Sequence, residues 1–134
     1  MTLQSCDPPF IFFTHPGIVK ILSLVPKDIN SLLDLGCGRG IIGILVRIYR
    51  SPKRVVGVEI FKKYINFCKK HRIYDKIFKL DLKKLPLPFK NKSFDVVTLI
   101  EVIEHLPKEN AINLIFEAER IAKKKSYNFN TKRY

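Results

Sequence analysis

Four of the six glycines in this 134-residue chain fall within eight positions, Gly36-Cys37-Gly38-Arg39-Gly40-Ile41-Ile42-Gly43. The residues before them, Ser31 to Leu35, form a short apolar run that reads as a buried strand. Those that follow, Ile41 to about Tyr49, read as a helix. Glycine in such a turn allows a tight reversal and close approach of a ligand to the backbone, at the positive end of a helix dipole. The fold must therefore feed a strand into a helix across a turn suited to binding.

The rest of the chain continues the alternation. Thr14 can cap a first helix, with Pro16 in its first turn, Ile18, Ile21, Leu22 and Val25 at helical spacing, and Pro26 as its stop. Arg54 to Glu59 predicts a second strand, about Lys62 to His71 a helix, and Lys76 to Leu80 a third strand. Residues 83–93 predict a loop with Pro86 and Pro88, and Phe94 to Ile100 a strongly apolar fourth strand. Lys108 to Lys124 predicts a long amphipathic helix with Ile112, Ile115, Phe116, Ala118, Ile121 and Ala122 near its buried face. Apolar strands that alternate with helices imply an α/β fold, a three-layer doubly wound and mostly parallel sheet covered on both faces. Residues 1–13 read as a leader, 14–124 as the domain, and 125–134 as a basic tail or a weak fifth strand in which Tyr127 and Phe129 alternate with polar residues.

Length and composition agree with one globular domain: 46% of residues are hydrophobic and 28% charged. No apolar run approaches the ~20 residues that span a bilayer, and Met1 to Phe13 lacks the basic start of a secretory signal. Cys6, Cys37 and Cys68 have neither zinc-site spacing nor an even count for a disulfide framework, so they read as reduced cytoplasmic thiols. The net charge of +13 is uneven, with −1 in residues 1–35 and +14 in the remainder. Lys62 to Lys79, Lys83 to Lys92 and Arg120 to Arg133 supply most of it, which suits either a nucleic-acid partner or simply solvated faces. Tyr64, Phe67 and Tyr74 interleave with the first cluster, at a spacing that more often faces a core than a base.

Two acids flank the glycine turn. Asp34 stands two residues before the first glycine, and Glu59 ends the next strand, where a ribose-binding acid belongs. No Gly-Lys-Ser/Thr is present, which excludes a P-loop. Asp34 would repel a pyrophosphate but suits an ammonium group, so a nucleoside with an amino-acid tail fits better than a dinucleotide.

These residues resemble a family. Leu32-Leu33-Asp34-Leu35-Gly36-Cys37-Gly38-Arg39-Gly40 is similar to the first motif of class I S-adenosylmethionine-dependent methyltransferases. Val55-Val56-Gly57-Val58-Glu59 resembles the segment carrying the family's second acid, and Leu80-Asp81-Leu82, with Leu87-Pro88-Phe89 and Ser93-Phe94-Asp95-Val96-Val97 after it, the third motif. Glu101-Val102-Ile103-Glu104-His105-Leu106 resembles the segment after the fourth strand. The resemblance covers about residues 14–122. It implies S-adenosyl-L-methionine as cofactor. Gly36, Cys37, Gly38 and Gly40 would line its methionine part, Asp34 would face its amino group directly or through water, and Glu59, with Ile60 beside it, would accept the ribose hydroxyls. Asp81 would accept the adenine amino group, the Leu82 N–H would meet a ring nitrogen, and Glu101 would lie beside the sulfonium and the acceptor. Read alone, Asp34 would sooner be a turn-capping acid and Asp81 a loop cap; read together, they favour the cofactor.

The family chemistry is in-line displacement at a methyl carbon, helped mainly by alignment. A base is needed only for a protonated nucleophile, and Glu101 is the first candidate, with Glu104 and His105 behind it. His105 reads more readily as a structural or helix-start residue. Phe10, Phe12 and Phe13 suit either a lid or a hydrophobic leader. No Asn-Pro-Pro-Tyr-type motif follows the fourth strand. The family sheet has seven strands in the order 3-2-1-4-5-7-6, and this chain is expected to lack the last ones. The fourth strand would then expose an edge open to self-association or to a completing partner. The methyl acceptor is not specified, and a non-catalytic cofactor-binding or interaction module is the alternative.

Overall fold

The computed structural model describes residues 16–129, leaving out the side chains of Pro16, Ile18, Val19 and 124–129. The elements are α1 (Pro16–Leu24), β1 (Ser31–Leu35), α2 (Ile41–Tyr49), β2 (Arg54–Glu59), α3 (Lys62–Lys70), β3 (Lys76–Lys79), β4 (Phe94–Ile100), a 3-10 turn (Ile103–His105), α4 (Lys108–Ile121) and β5 (Ala122–Phe129). The Thr14 cap, the Phe10, Phe12 and Phe13 segment and Cys6 lie outside the described residues.

The strands form one parallel sheet in the order β3-β2-β1-β4-β5. Successive strand residues alternate between its faces. Leu32, Val55 and Val96 join Ile21, Val25, Ile42, Val46 and Cys68 in one core, beneath α1, α2 and α3. Leu33, Val56, Val58 and Val97 join Leu87, Leu114, Ala118 and Ile121 in the other, beneath α4 and the loop from Leu80 to Ser93. Polar side chains tie the coverings down. Arg50 donates from Nε to the Val25 carbonyl (2.9 Å) and from Nη2 to the Leu22 carbonyl (2.7 Å), closing the end of α1.

Three expectations are corrected at the C-terminal side. The last helix ends at Ile121, three residues before Lys124, and β5 begins at once with Ala122. The Ala122 N–H makes the last helical bond, to the Ala118 carbonyl, and from Ala122, opposite Phe94, the chain pairs with the edge of β4 in place of a further helical turn. The fifth strand is thus eight residues long and covers the edge of β4, so the edge expected on the fourth strand belongs to β5 instead. The buried face of α4 is also rotated from the expected one. Ala111, Leu114, Glu117, Ala118 and Ile121 point inward, while Ile112 and Phe116 are exposed. The rotation brings Glu117 inside, where its carboxylate accepts the Leu87 N–H and pairs with Arg120. Arg120 in turn donates to the carbonyls of Phe89 and Leu87, so one half-buried ion pair anchors the loop.

Candidate functional site

The strand order reverses between β1 and β4, and in open α/β sheets the crevice beyond the carboxyl ends of such strands receives ligands. The glycine turn lies there. Gly36, Gly38 and Gly40 all have positive φ, at 74°, 54° and 82°, a region in which other residues are strained. Gly36 and Cys37 donate to the Val58 carbonyl, at 2.8 and 3.0 Å, which pins the turn to β2. A Cβ at Gly36 would meet Val102 and one at Gly40 would meet Ile73, whereas one at Gly38 would meet nothing within 4 Å. The turn is packed at both ends and open at Gly38.

Glu59 is 7% exposed and organises that opening. Its Oε1 accepts the Gly38 N–H (2.9 Å), and its Oε2 accepts those of Ile60 (2.8 Å) and Phe61 (3.0 Å). A carboxylate has about four acceptor positions, so about one remains, on Oε1 beside Gly38. Ile60 is itself exposed at the rim.

Asp34 is 1% exposed. Tyr74 donates to its Oδ2 (2.6 Å) and Thr98 to its Oδ1 (2.8 Å), so its immediate partners are hydroxyls of the chain itself. Burial pushes its carboxyl up to about 6, the two hydroxyls oppose the rise, and Glu59 adds to it. Asp34 thus sits beneath the turn, a buried carboxylate that joins β1, β4 and Tyr74. Burial and Asp34 likewise push the Tyr74 hydroxyl well above its usual range.

Sequence reasoning missed Tyr74, which is 40 residues from Asp34 and carries no local signal. A signal did exist in the glycines. A Cβ at Gly40, Gly43 or Gly57 would come within 3.2 Å of the Tyr74 ring. Three glycines therefore make room for the tyrosine. Cys37 and Cys68 lie in the same layer, both buried, and the Cys68 thiol donates to the Gly38 carbonyl (3.3 Å). Contact with Cys68, burial and Asp34 together push the Cys37 thiol far up.

Asp81 opens the loop after β3. Its Oδ1 accepts the Lys83 N–H (2.9 Å), a loop-capping contact, and Leu82 is half-buried with its Cδ1 3.7 Å from a Cβ built on Gly36. The structure therefore gathers Gly36, Cys37, Gly38, Gly40, Glu59, Ile60 and Leu82 around one end of the sheet.

Across the switch point, Glu101 follows β4 with φ 55°, a left-handed conformation that is uncommon outside glycine and costs about 1 kcal/mol or more. Glu104 has both carboxylate oxygens buried with no hydrogen-bond partner among the described residues. His105 is largely exposed, with Nε2 3.7 Å from Glu104 Oε1.

Residues 33–129 match the model of the methyltransferase domain family. The chain belongs to this family. It is 31% identical over 94 residues to the ribosomal protein L11 methyltransferase of Aquifex aeolicus, a match that covers 68% of this chain and 38% of that protein. A solved structure, the PH0226 protein of Pyrococcus horikoshii, is 28% identical with a TM-score of 0.73, covering 85% of this chain and 55% of that one. A SAM-dependent methyltransferase from Archaeoglobus fulgidus is 27% identical with a TM-score of 0.64, covering 76% and 44%. The chain thus spans between 38% and 55% of the length of these three relatives. Its five-stranded parallel sheet with flanking helices is that of the class I fold, and S-adenosylmethionine is the cofactor that goes with the family.

Proposed function

We propose that the chain binds S-adenosylmethionine across the glycine turn and transfers its methyl group to an acceptor presented beyond β4. The observation that carries this reading is the opening at Gly38, where an unfilled backbone surface and an acceptor position of Glu59 lie side by side. Glu59 would hold the ribose hydroxyls there, and Gly36, Cys37 and Gly40 would line the amino-acid tail with backbone alone. Asp34 would act through its field, because its oxygens are engaged: a buried negative charge beneath the turn favours an ammonium above it. Asp81, with Oδ1 spent on the loop, would meet the adenine amino group with Oδ2, next to the Leu82 N–H.

When bound, the cofactor supplies an electrophilic methyl group whose sulfur leaves as a neutral thioether. The chain's own contribution is to hold that methyl toward the end of β4, where Glu101 stands. Glu101 would orient the acceptor and, for an acceptor that carries a proton on its nucleophilic atom, take that proton. The exposed His105 would serve at the rim.

Incubation of the purified chain with methyl-tritiated S-adenosylmethionine and separate protein, RNA and lipid fractions tests the transfer. Label in one fraction, suppressed by S-adenosylhomocysteine and reduced by Glu101→Ala, is the expected result. Label in none, from a chain that binds the cofactor, would leave a binding module in place of an enzyme.

A further inference from the structure

The basic residues are not spread evenly over the described chain. Residues 61–92 carry eleven Lys and Arg against Asp75 and Asp81, a net charge of +9, while residues 93–129 carry −1. Asp75 is paired with Arg47 (3.1 Å) and also accepts the Val55 N–H. The second acid, Asp81, accepts the Lys83 N–H. These 32 residues wrap one edge of the sheet: β3 is its outermost strand, α3 covers one face beside it, and the 80–93 loop covers the other. All eleven basic residues of this segment are exposed, Lys63 and Lys70 on α3 among them.

The aromatic residues of α3 do not behave as core residues. The helix buries Ile65 and Cys68. Phe61 is 63% exposed, Phe67 is 40% exposed, and Tyr64 is half-buried. With His71 they recur at intervals of three, three and four, one slanting stripe along the helix. Phe61 and Tyr64 meet edge to face at 6.2 Å, and His71 lies against Phe67 at 4.4 Å. The Arg39 guanidinium lies 5.9 Å from the centre of the Tyr64 ring. Lys63 and Lys70 lie beside the stripe. From Phe61 to His71, the two residues that flank α3, the stripe is about 15 Å long.

A row of exposed and half-buried aromatic rings set among cations is the arrangement that binds single-stranded nucleic acid: phosphates meet the lysines and bases stack on the rings, without sequence preference. We propose that the outer face of α3, with the β3 edge beside it, is a docking surface for single-stranded nucleic acid. It starts at Phe61, two residues after Glu59, so a bound strand would run alongside the cofactor site. The docking does not depend on methyl transfer, and separate readouts test the two.

The test is fluorescence anisotropy with a labelled oligouridylate of about twenty nucleotides at several salt concentrations. Calorimetry with S-adenosylhomocysteine and sedimentation are run on the same samples. Lys63→Glu/Lys70→Glu should weaken oligonucleotide binding about tenfold or more and flatten its salt dependence. Phe67→Ala should weaken it about fivefold with an unchanged salt slope, because it removes stacking and no charge. Lys27→Glu/Lys53→Glu, an equal charge change away from the stripe, should move it less than about twofold to threefold. None of these variants should change S-adenosylhomocysteine binding. Equal losses in both double variants would overturn the proposal in favour of bulk charge attraction. Binding to phosphatidylserine vesicles without oligonucleotide binding, or a dimer that Phe67→Ala dissociates, would overturn it in favour of a membrane or a protein surface.

Discussion

The two sides of the switch point are built differently. On the β1–β2 side, every carboxylate oxygen that faces the turn is held: Asp34 by Tyr74 and Thr98, Glu59 by Gly38, Ile60 and Phe61. On the β4 side, Glu101 is exposed in a left-handed conformation, and Glu104 has buried oxygens with no hydrogen-bond partner among the described residues. The first side is fixed before any ligand arrives, which lowers the ordering needed on binding. The second leaves the Glu104 carboxylate for something else to satisfy. A cofactor that is constant across a family suits a finished site, and an acceptor that varies suits an unfinished one.

Breaking the finished side should have the largest effects. Asp34 ionises in the folded chain at about 6 rather than 3.8. Between those values Asp34 holds more protons in the folded state than in the unfolded one, so its contribution to stability is fully present below about pH 4 and is lost as pH rises through about 6. The loss is on the order of 3 kcal/mol. Asp34→Asn should remove this slope, so that thermal melts of the two proteins converge or cross between pH 4 and pH 6 while the variant binds S-adenosylhomocysteine more weakly. Tyr74→Phe comes next. It removes one hydrogen bond to a buried carboxylate, worth about 1.5–3 kcal/mol, and should move the pH-dependent loss of stability to higher pH, since that hydroxyl opposes the rise of Asp34. Denaturant titrations at several pH values would check both.

Gly38→Ala sharpens the comparison because it separates binding from stability. Its φ of 54° costs an alanine about 1 kcal/mol, and no atom lies within 4 Å of the added carbon, so the chain should stay folded. The methyl group would stand in the proposed cofactor space, and affinity should fall about tenfold, read by calorimetry. On the unfinished side, His105→Ala should change stability by less than about 0.5 kcal/mol, since the ring is exposed and distant from a good contact.

Much of the fold was legible because its signals are local. Ser31 to Leu35, Arg54 to Glu59 and Phe94 to Ile100 are apolar runs long enough only for strands, and each appears at those bounds. The α4 boundary was not legible, since Ala122 and Lys123 to Lys125 suit a helix by propensity and only pairing with β4 draws them into β5. Its buried face was misjudged for a related reason: hydrophobicity favoured Phe116 over Glu117, and a loop 30 residues away supplied the partner that brings the acid inside. At the site, the glycines and both acids stood out in the sequence. Their division of labour did not. Gly38 faces open space, but Gly40, Gly43 and Gly57 yield theirs to Tyr74, and that pairing exists only once β2, α2 and the segment before β3 are stacked.

The most direct measurement is calorimetric titration of the purified chain with S-adenosylhomocysteine, alongside Glu59→Gln and Glu59→Ala, with thermal melts to establish folding. Binding at about micromolar dissociation constant, weakened about a hundredfold or more in a folded Glu59 variant, is the predicted result. Equal binding by parent and variants, or no binding by a folded parent chain, would contradict the assignment of this junction as the cofactor site.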